Sequence, residues 1–283
     1  MPSEDTTPPV VGTYASLTGA TLSYEVEGSG PPLVLVHGSF SDHRSNWYRA
    51  RPRLARDFTV YALARRGRGE SEATEGHEVE DEAKDVEGLL ERINKPAFLL
   101  GHSYGAQVAL AGASLCPDRV RKLILYEPPR PEGSQPIVLE RMREAADAQD
   151  WLGVVKAFYE GVFELPRHIF GSLMASNDWQ HVVNDARASV QDVFALSRYD
   201  FDARRYGTLR MHLLLLTGSE TPPEMFVTDE LASVLPDVHH KRFDGEGHEA
   251  MNTAPDAFVR TVVAFLSRDA LDEGRSENSN DAD

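Results

Sequence analysis

A serine framed by glycines, Gly101-His102-Ser103-Tyr104-Gly105, ends one apolar run and opens a stretch of small residues. This is how a hydroxyl is made into a nucleophile. A strand delivers the serine to a tight turn, the glycines remove the crowding a Cβ would cause, and the N-terminus of the next helix favours developing negative charge. The string G-x-S-x-G is weak alone; with a strand before it and a helix after it, it becomes specific. A serine also needs a base. Gly245-Glu246-Gly247-His248 places an imidazole in a glycine-flanked loop after the last apolar run, and a pKa near 6.5 suits proton transfer at neutral pH. The chain has ten histidines, and this location singles out His248. In His37-Gly38-Ser39-Phe40, a backbone N–H together with that of Tyr104 could hold the oxyanion of a tetrahedral intermediate. Ser39 is the first choice of donor and Phe40 the second, while His37 reads as a structural residue bonding loop backbone. A third group must orient the histidine. Glu220 is the only carboxylate in LLLLTGSETPP (213–223), and the residues alone leave open whether it does so.

These groups need a scaffold, and strands and helices alternate along the chain. Strands are expected at 20–27, 33–37, 58–63, 97–101, 123–126, 213–217 and 239–243, with a helix at 46–56. Another helix from 77 to 94 puts Val79, Ala83, Val86, Leu90 and Ile93 on one face and is stopped by Pro96. Uninterrupted apolar strands alternating with helices indicate an α/β fold with a mostly parallel sheet covered on both faces. The core is expected over 13–127 and 211–268. Residues 128–210 lack a buried strand and carry helical stretches at 136–150, 151–164 and about 178–198; about 80 residues is too long for a loop and reads as a helical cap insertion. Trp151, Phe158, Phe163, Phe170 and Trp179 could wall a pocket there or simply pack the helices. Arg65, Arg66 and Arg68 could line an entrance, but such arginines more often make structural hydrogen bonds. Asp244 reads as a turn residue.

The totals narrow the function. With 283 residues and 41% hydrophobic content the chain can bury a sizeable core, while a formal charge of −16 disfavours nucleic acid and anionic membranes as partners. The single cysteine, Cys116, cannot form an internal disulfide, and the polar, proline-rich start lacks the apolar stretch of a signal peptide, so a cytoplasmic location is expected. Residues 1–12 and the acidic tail 269–283 read as disordered. There is no P-loop, no dinucleotide fingerprint and no Cys/His cluster of metal-ligand spacing, so neither cofactor nor metal is expected.

LVLVHGS, YALARRGRGES, LLGHSYG with its helix, and GEGH together resemble the α/β-hydrolase superfamily over about 13–268. The resemblance implies an eight-stranded core sheet with helices on both faces, and the chain order nucleophile, acid, histidine. It also exposes a departure. The family's usual acid stands three residues after a glycine ending its strand; counted from Gly218, that place is Thr221, which cannot supply the charge that fixes a histidine tautomer. Some members, including one group of haloalkane dehalogenases and certain lactonases, carry the acid at the earlier strand end, roughly two dozen residues beyond the nucleophile. Here LILYEPP puts Glu127 at that place. The implied triad is therefore Ser103, His248 and Glu127, with Glu220 the lesser candidate for the acid and Asp229 behind it. The implied activity is hydrolysis of a small-molecule carboxylic ester or lactone through an acyl-enzyme. The same residues serve carbon–carbon bond hydrolysis or perhydrolase-type chemistry, and a non-catalytic ligand receptor would not need an intact serine and histidine. Dehalogenation would use an aspartate nucleophile.

Overall fold

The computed structural model describes residues 8–74, 76–133, 135–162, 170–171, 174–175 and 179–267. The strands are β1 (Val10–Ala15), β2 (Thr21–Glu27), β3 (Pro32–Val36), β4 (Thr59–Ala64), β5 (Ala97–His102), β6 (Val120–Tyr126), β7 (His212–Gly218) and β8 (Val238–Phe243). They form one 8-stranded sheet in the order β1-β2-β4-β3-β5-β6-β7-β8. The β1–β2 and β2–β4 pairs are antiparallel, and every pairing from β4 through β3 to β8 is parallel. The expected α/β fold is the one observed. The ordered chain starts earlier than expected, however: β1 begins at Val10, inside the segment read as disordered, because its backbone pairs with β2 from Val10 to Ala15 even though Val10 and Val11 bury little.

Alternating side chains of the central strands feed two cores. Val34, Val36, Leu99, Leu123, Leu125 and Leu213 pack with helices α2 (Val79–Ile93) and α3 (Tyr104–Leu115). Their neighbours Leu33, Leu35, Phe98, Leu100, Ile124 and Leu216 face Trp47, Leu54 and helix α9 (Pro255–Leu266) on the other side. Both faces of β5 are thus buried along its whole length, which explains its continuous apolar run. Helix α2 starts with a capping box between Glu78 and Asp81 and ends on Asn94 at φ 53, one residue before Lys95-Pro96 closes off further helix. The helix expected over 46–56 is shorter: only α1 (Arg51–Leu54) is regular, and residues 44–50 run as turns in which Asn46 and Trp47 point inward.

Between β6 and β7 lie α4 (Pro136–Asp147), α5 (Trp151–Gly161) and α6 (Trp179–Arg198), with no strand among the described residues of the segment. These helices share a third apolar cluster built on Val138, Met142, Val154, Val155 and Val190, against which Trp151, Phe158 and Trp179 pack. Phe170 meets Trp179 edge-on at 5.5 Å, and Phe163 lies outside the described residues. Short α-helices also run over Thr228–Val234 (α7) and Ala250–Thr253 (α8). No described helix is long and apolar enough to cross a membrane.

Candidate active site

The site stands at the carboxyl ends of β5, β6, β7 and β8, where parallel α/β sheets present ligand-binding loops. Ser103 follows β5 as the residue capping α3, at φ 54 and ψ −129. A non-glycine residue held there costs about 1–3 kcal/mol, and the surroundings impose it: its N–H bonds Tyr126 O at 2.9 Å. Both flanking glycines are sterically required. A Cβ at Gly101 would sit 2.4 Å from Gly105 O, and one at Gly105 would sit 2.3 Å from His37 O.

Glu127 caps the adjacent strand at φ 47 and is wholly buried. Its Oε2 lies 2.5 Å from His248 Nδ1, so the structure brings together the two residues that the sequence places 121 positions apart. Its other oxygen, Oε1, accepts the Gly218 N–H at 2.7 Å and the Thr221 hydroxyl. The residue at the family's usual acid position, which cannot itself supply the charge, thus donates to the Glu127 carboxylate, a contact the sequence does not reveal. Glu220 is exposed and accepts from Ser219 Oγ at 3.0 Å. Asp229 lies in the first turn of α7, and Asp244 is an exposed partner of Arg242.

The loop carrying His248 is fixed from three sides. Tyr126 donates its hydroxyl to Gly247 O and accepts from Ala250 N–H at 3.2 Å. His102 spans from Asn46 Oδ1, 3.0 Å from its Nδ1, to His248 O, 2.9 Å from its Nε2. Burial and the adjoining His248 hold the His102 imidazole well below its ordinary pKa, so it is neutral and its single N–H donates to one of these two oxygens. Phe226 stacks on the His248 ring at 5.6 Å with 15° between planes. Replacing Thr221 with Val, which keeps the shape and removes the donor, should lower kcat about 5- to 30-fold, reflecting the loss of about 1 to 2 kcal/mol from a hydrogen bond to a charged group. Steady-state kinetics with p-nitrophenyl acetate would measure it.

The loop after β3 approaches the serine closely, since a Cβ at Gly38 would lie 3.0 Å from Ser103 Cβ. The Gly38 N–H is taken by Asn46 Oδ1 at 3.0 Å and the Phe40 N–H by Ser189 Oγ at 2.7 Å, while the Ser39 N–H has no acceptor among the described residues. Tyr104 is the first residue of α3, so its N–H has no intrahelical acceptor. His37 is structural: Nδ1 bonds Gly38 O at 2.8 Å and Nε2 accepts the Arg65 N–H at 3.2 Å. Burial first, then Arg65 and Arg68, hold it well below the imidazole range and hence neutral.

Arg65, Arg66 and Arg68 are buried and held in ion pairs. Arg66 pairs with Asp85 of α2. Arg65 and Arg68 converge on Asp192 of α6, each at 2.6 Å, and Arg65 also reaches Glu82 of α2 at 2.9 Å. His77 Nε2 stands 3.1 Å from Glu82 Oε1. Burial opposes its charge, but the Glu82 and Asp192 carboxylates outweigh that and push it up to about 10. His77, Glu82 and Asp192 could offer ligand atoms to a cation. Two guanidiniums already neutralise those carboxylates, and the cluster reads as an ion-pair knot. Sequence reasoning missed Asn46, Glu82, Ser189 and Asp192; the available signal was three arginines within four residues, a concentration of charge that demands buried acids once the loop is buried.

With this geometry in hand, the chain belongs to the alpha/beta hydrolase family, whose model matches residues 33–261. It is 38% identical over 114 residues to the uncharacterized hydrolase YraK of Bacillus subtilis, covering 39% of this chain and 42% of that one. It is 37% identical over 108 residues to the pyrrolizixenacetamide deacetylase of Xenorhabdus hominickii, covering 38% and 41% respectively. The matches thus span about two fifths of the length of these curated relatives. The crystal structure of an alpha/beta hydrolase from Sphaerobacter thermophilus is similar with a TM-score of 0.79 at 26% identity, over 90% of this chain and 100% of that one.

Proposed function

We propose that the protein is a serine hydrolase that cleaves a small carboxylic ester or lactone through an acyl-enzyme at Ser103. The carrying observation is the buried Glu127 carboxylate at 2.5 Å from His248 Nδ1, beside a serine held in a strained strand-to-helix turn. In this reading His248 Nε2 takes the Ser103 proton as Oγ attacks the carbonyl carbon. Glu127 holds the proton on Nδ1 and stabilises the imidazolium. The Ser39 and Tyr104 N–H groups receive the oxyanion. Collapse of the intermediate breaks the bond to the leaving group, which takes the proton from His248. Water then enters, gives its proton to His248 and attacks the acyl carbon, and Ser103 leaves reprotonated. The helical insertion serves as the cap that selects the acyl and alcohol groups. Similarity to a deacetylase over part of the chain adds N-acetyl amides to the substrate classes worth testing, since the same acyl-enzyme would form.

A fluorophosphonate probe should label the native protein and fail to label Ser103→Ala, with turnover of p-nitrophenyl esters lost in parallel. Absence of labelling in the native protein would overturn the reading. A panel of p-nitrophenyl esters of rising chain length, simple lactones and N-acetyl amides should then separate the substrate classes, with esters or lactones turned over fastest.

A further inference from the structure

We infer that Ser189 and Asp192 of helix α6 are positioning residues for the oxyanion-holding Ser39 N–H, so that the helical insertion sets the turnover number as well as the substrate. The inference rests on the serine hydrolase reading above and extends it to residues that never touch substrate.

The argument follows the loop one peptide at a time. A peptide is planar and trans, so fixing the direction of its carbonyl fixes its N–H in the opposite direction. The Gly38 carbonyl, which shares a plane with the Ser39 N–H, accepts from Arg65 Nη2 at 3.0 Å and from His37 Nδ1 at 2.8 Å. Arg65 is held in turn by Asp192, at 2.6 Å. On the other side of the Ser39 Cα, the next peptide is fixed by Phe40 N–H donating to Ser189 Oγ at 2.7 Å. The Ser39 side chain between them donates Oγ–H to Asp192 Oδ2 at 2.9 Å. Arg68 closes the arrangement by donating to Ser189 Oγ at 3.0 Å and to Asp192 Oδ2 at 2.6 Å. The Ser39 N–H, which has no acceptor among the described residues, is thus oriented by hydrogen bonds from its loop neighbours, from Arg65 and from α6.

Phe40 shows that the loop is committed to the insertion. It holds φ 54, an uncommon conformation for a bulky residue, and its buried ring sits 4.3 Å from the Phe158 ring within the insertion's apolar cluster. The ring and the N–H of one strained residue are both anchored in the insertion, and the donor peptide is the next one back. A donor displaced by about 1 Å loses on the order of a hundredfold in rate, so anchoring of this kind is consequential.

The test uses full-length protein and p-nitrophenyl acetate. Ser189→Ala should lower kcat roughly 10- to 100-fold with KM within about twofold. It should weaken inhibition by a trifluoromethyl ketone, whose adduct carries the oxyanion, by a similar factor. Ser189→Thr, which restores the hydroxyl, should recover most of both. Ser39→Ala keeps the N–H and removes only the link to Asp192, and it should show the same pattern in milder form; it carries the test should Ser189→Ala fail to fold. If folded Ser189→Ala and Ser39→Ala both keep native kcat and ketone affinity, or change KM alone, the inference is overturned. A native protein that a fluorophosphonate labels, paired with such indifferent variants, overturns the inference alone. A native protein that the probe does not label overturns the hydrolase reading and the inference with it.

Discussion

Glu127→Gln is expected to lower kcat by roughly 10³- to 10⁴-fold, while Glu220→Gln leaves it within about twofold. The asymmetry follows from the hydrogen bonds. Glu127 Oε1 accepts from two donors, Gly218 N–H and Thr221 Oγ–H. A glutamine at this place would keep its carbonyl oxygen toward those donors and turn its NH₂ group toward His248. The amide would then donate to Nδ1 where the carboxylate accepts, forcing the imidazole proton onto Nε2, the nitrogen that must receive the serine proton. The negative charge that stabilises the imidazolium would vanish at the same time. Glu220 has none of these connections, being exposed and bonded to its neighbour Ser219. Turnover of p-nitrophenyl acetate by the two variants, with fluorophosphonate labelling rates alongside, decides the matter. A large loss in Glu220→Gln with native-like Glu127→Gln would move the acid back to the strand-β7 loop.

How far the sequence reveals this site depends on what kind of physics places each residue. Ser103 and His248 are set by local rules, namely apolar strand, glycine turn and small-residue helix, so their neighbourhoods are written in contiguous residues. Glu127 is not local in this sense. The sequence points to it through an absence, the uncharged Thr221 at the family's usual acid position, and through the strand end at which other superfamily members place theirs. The donor role of Thr221 was illegible because it depends on β6 and β7 lying side by side, with Glu127 N–H bonded to Leu216 O at 3.0 Å.

The same distinction explains the misses. Residues 46–56 carry helical pattern, yet Asn46 is drawn inward to accept from Gly38 N–H and Ser41 Oγ–H, and the turns that put it there replace a regular helix. On α2 the apolar face was legible and the buried acids were not. Glu82 and Asp85 lie on the covered side among Val79, Ala83, Val86 and Leu89, which a hydrophobic pattern scores as interruptions. Asp192 is harder still, since its partners Arg65 and Arg68 lie more than a hundred residues away and only the return of α6 onto the β4 loop joins them.

Arg65→Met should destabilise the fold by about 3–5 kcal/mol, the range for breaking a buried ion pair by removing one partner. Arg65 is fully enclosed and meets five partners. It donates to His37 O at 2.9 Å and to Gly38 O at 3.0 Å, pairs with Glu82 and Asp192, and lies 4.6 Å over the Tyr104 ring. Methionine fills the volume but takes one donor from each of the His37 and Gly38 carbonyls and leaves two buried carboxylates with less positive charge to balance them. Urea unfolding at neutral pH gives the loss directly; a variant within about 1 kcal/mol of native would show that Arg68 and His77 suffice. His77 supplies a check of opposite pH sense to a carboxylate. Its folded pKa, pushed up to about 10, exceeds the ordinary imidazole value near 6.5, so its stabilising contribution is complete below pH 6.5 and fades as pH rises through 10. The difference in unfolding free energy between native protein and His77→Gln should therefore shrink steadily from pH 6.5 to pH 10. A difference that stays constant across that window would mean that His77 is neutral in the fold and that the guanidiniums alone balance Glu82 and Asp192.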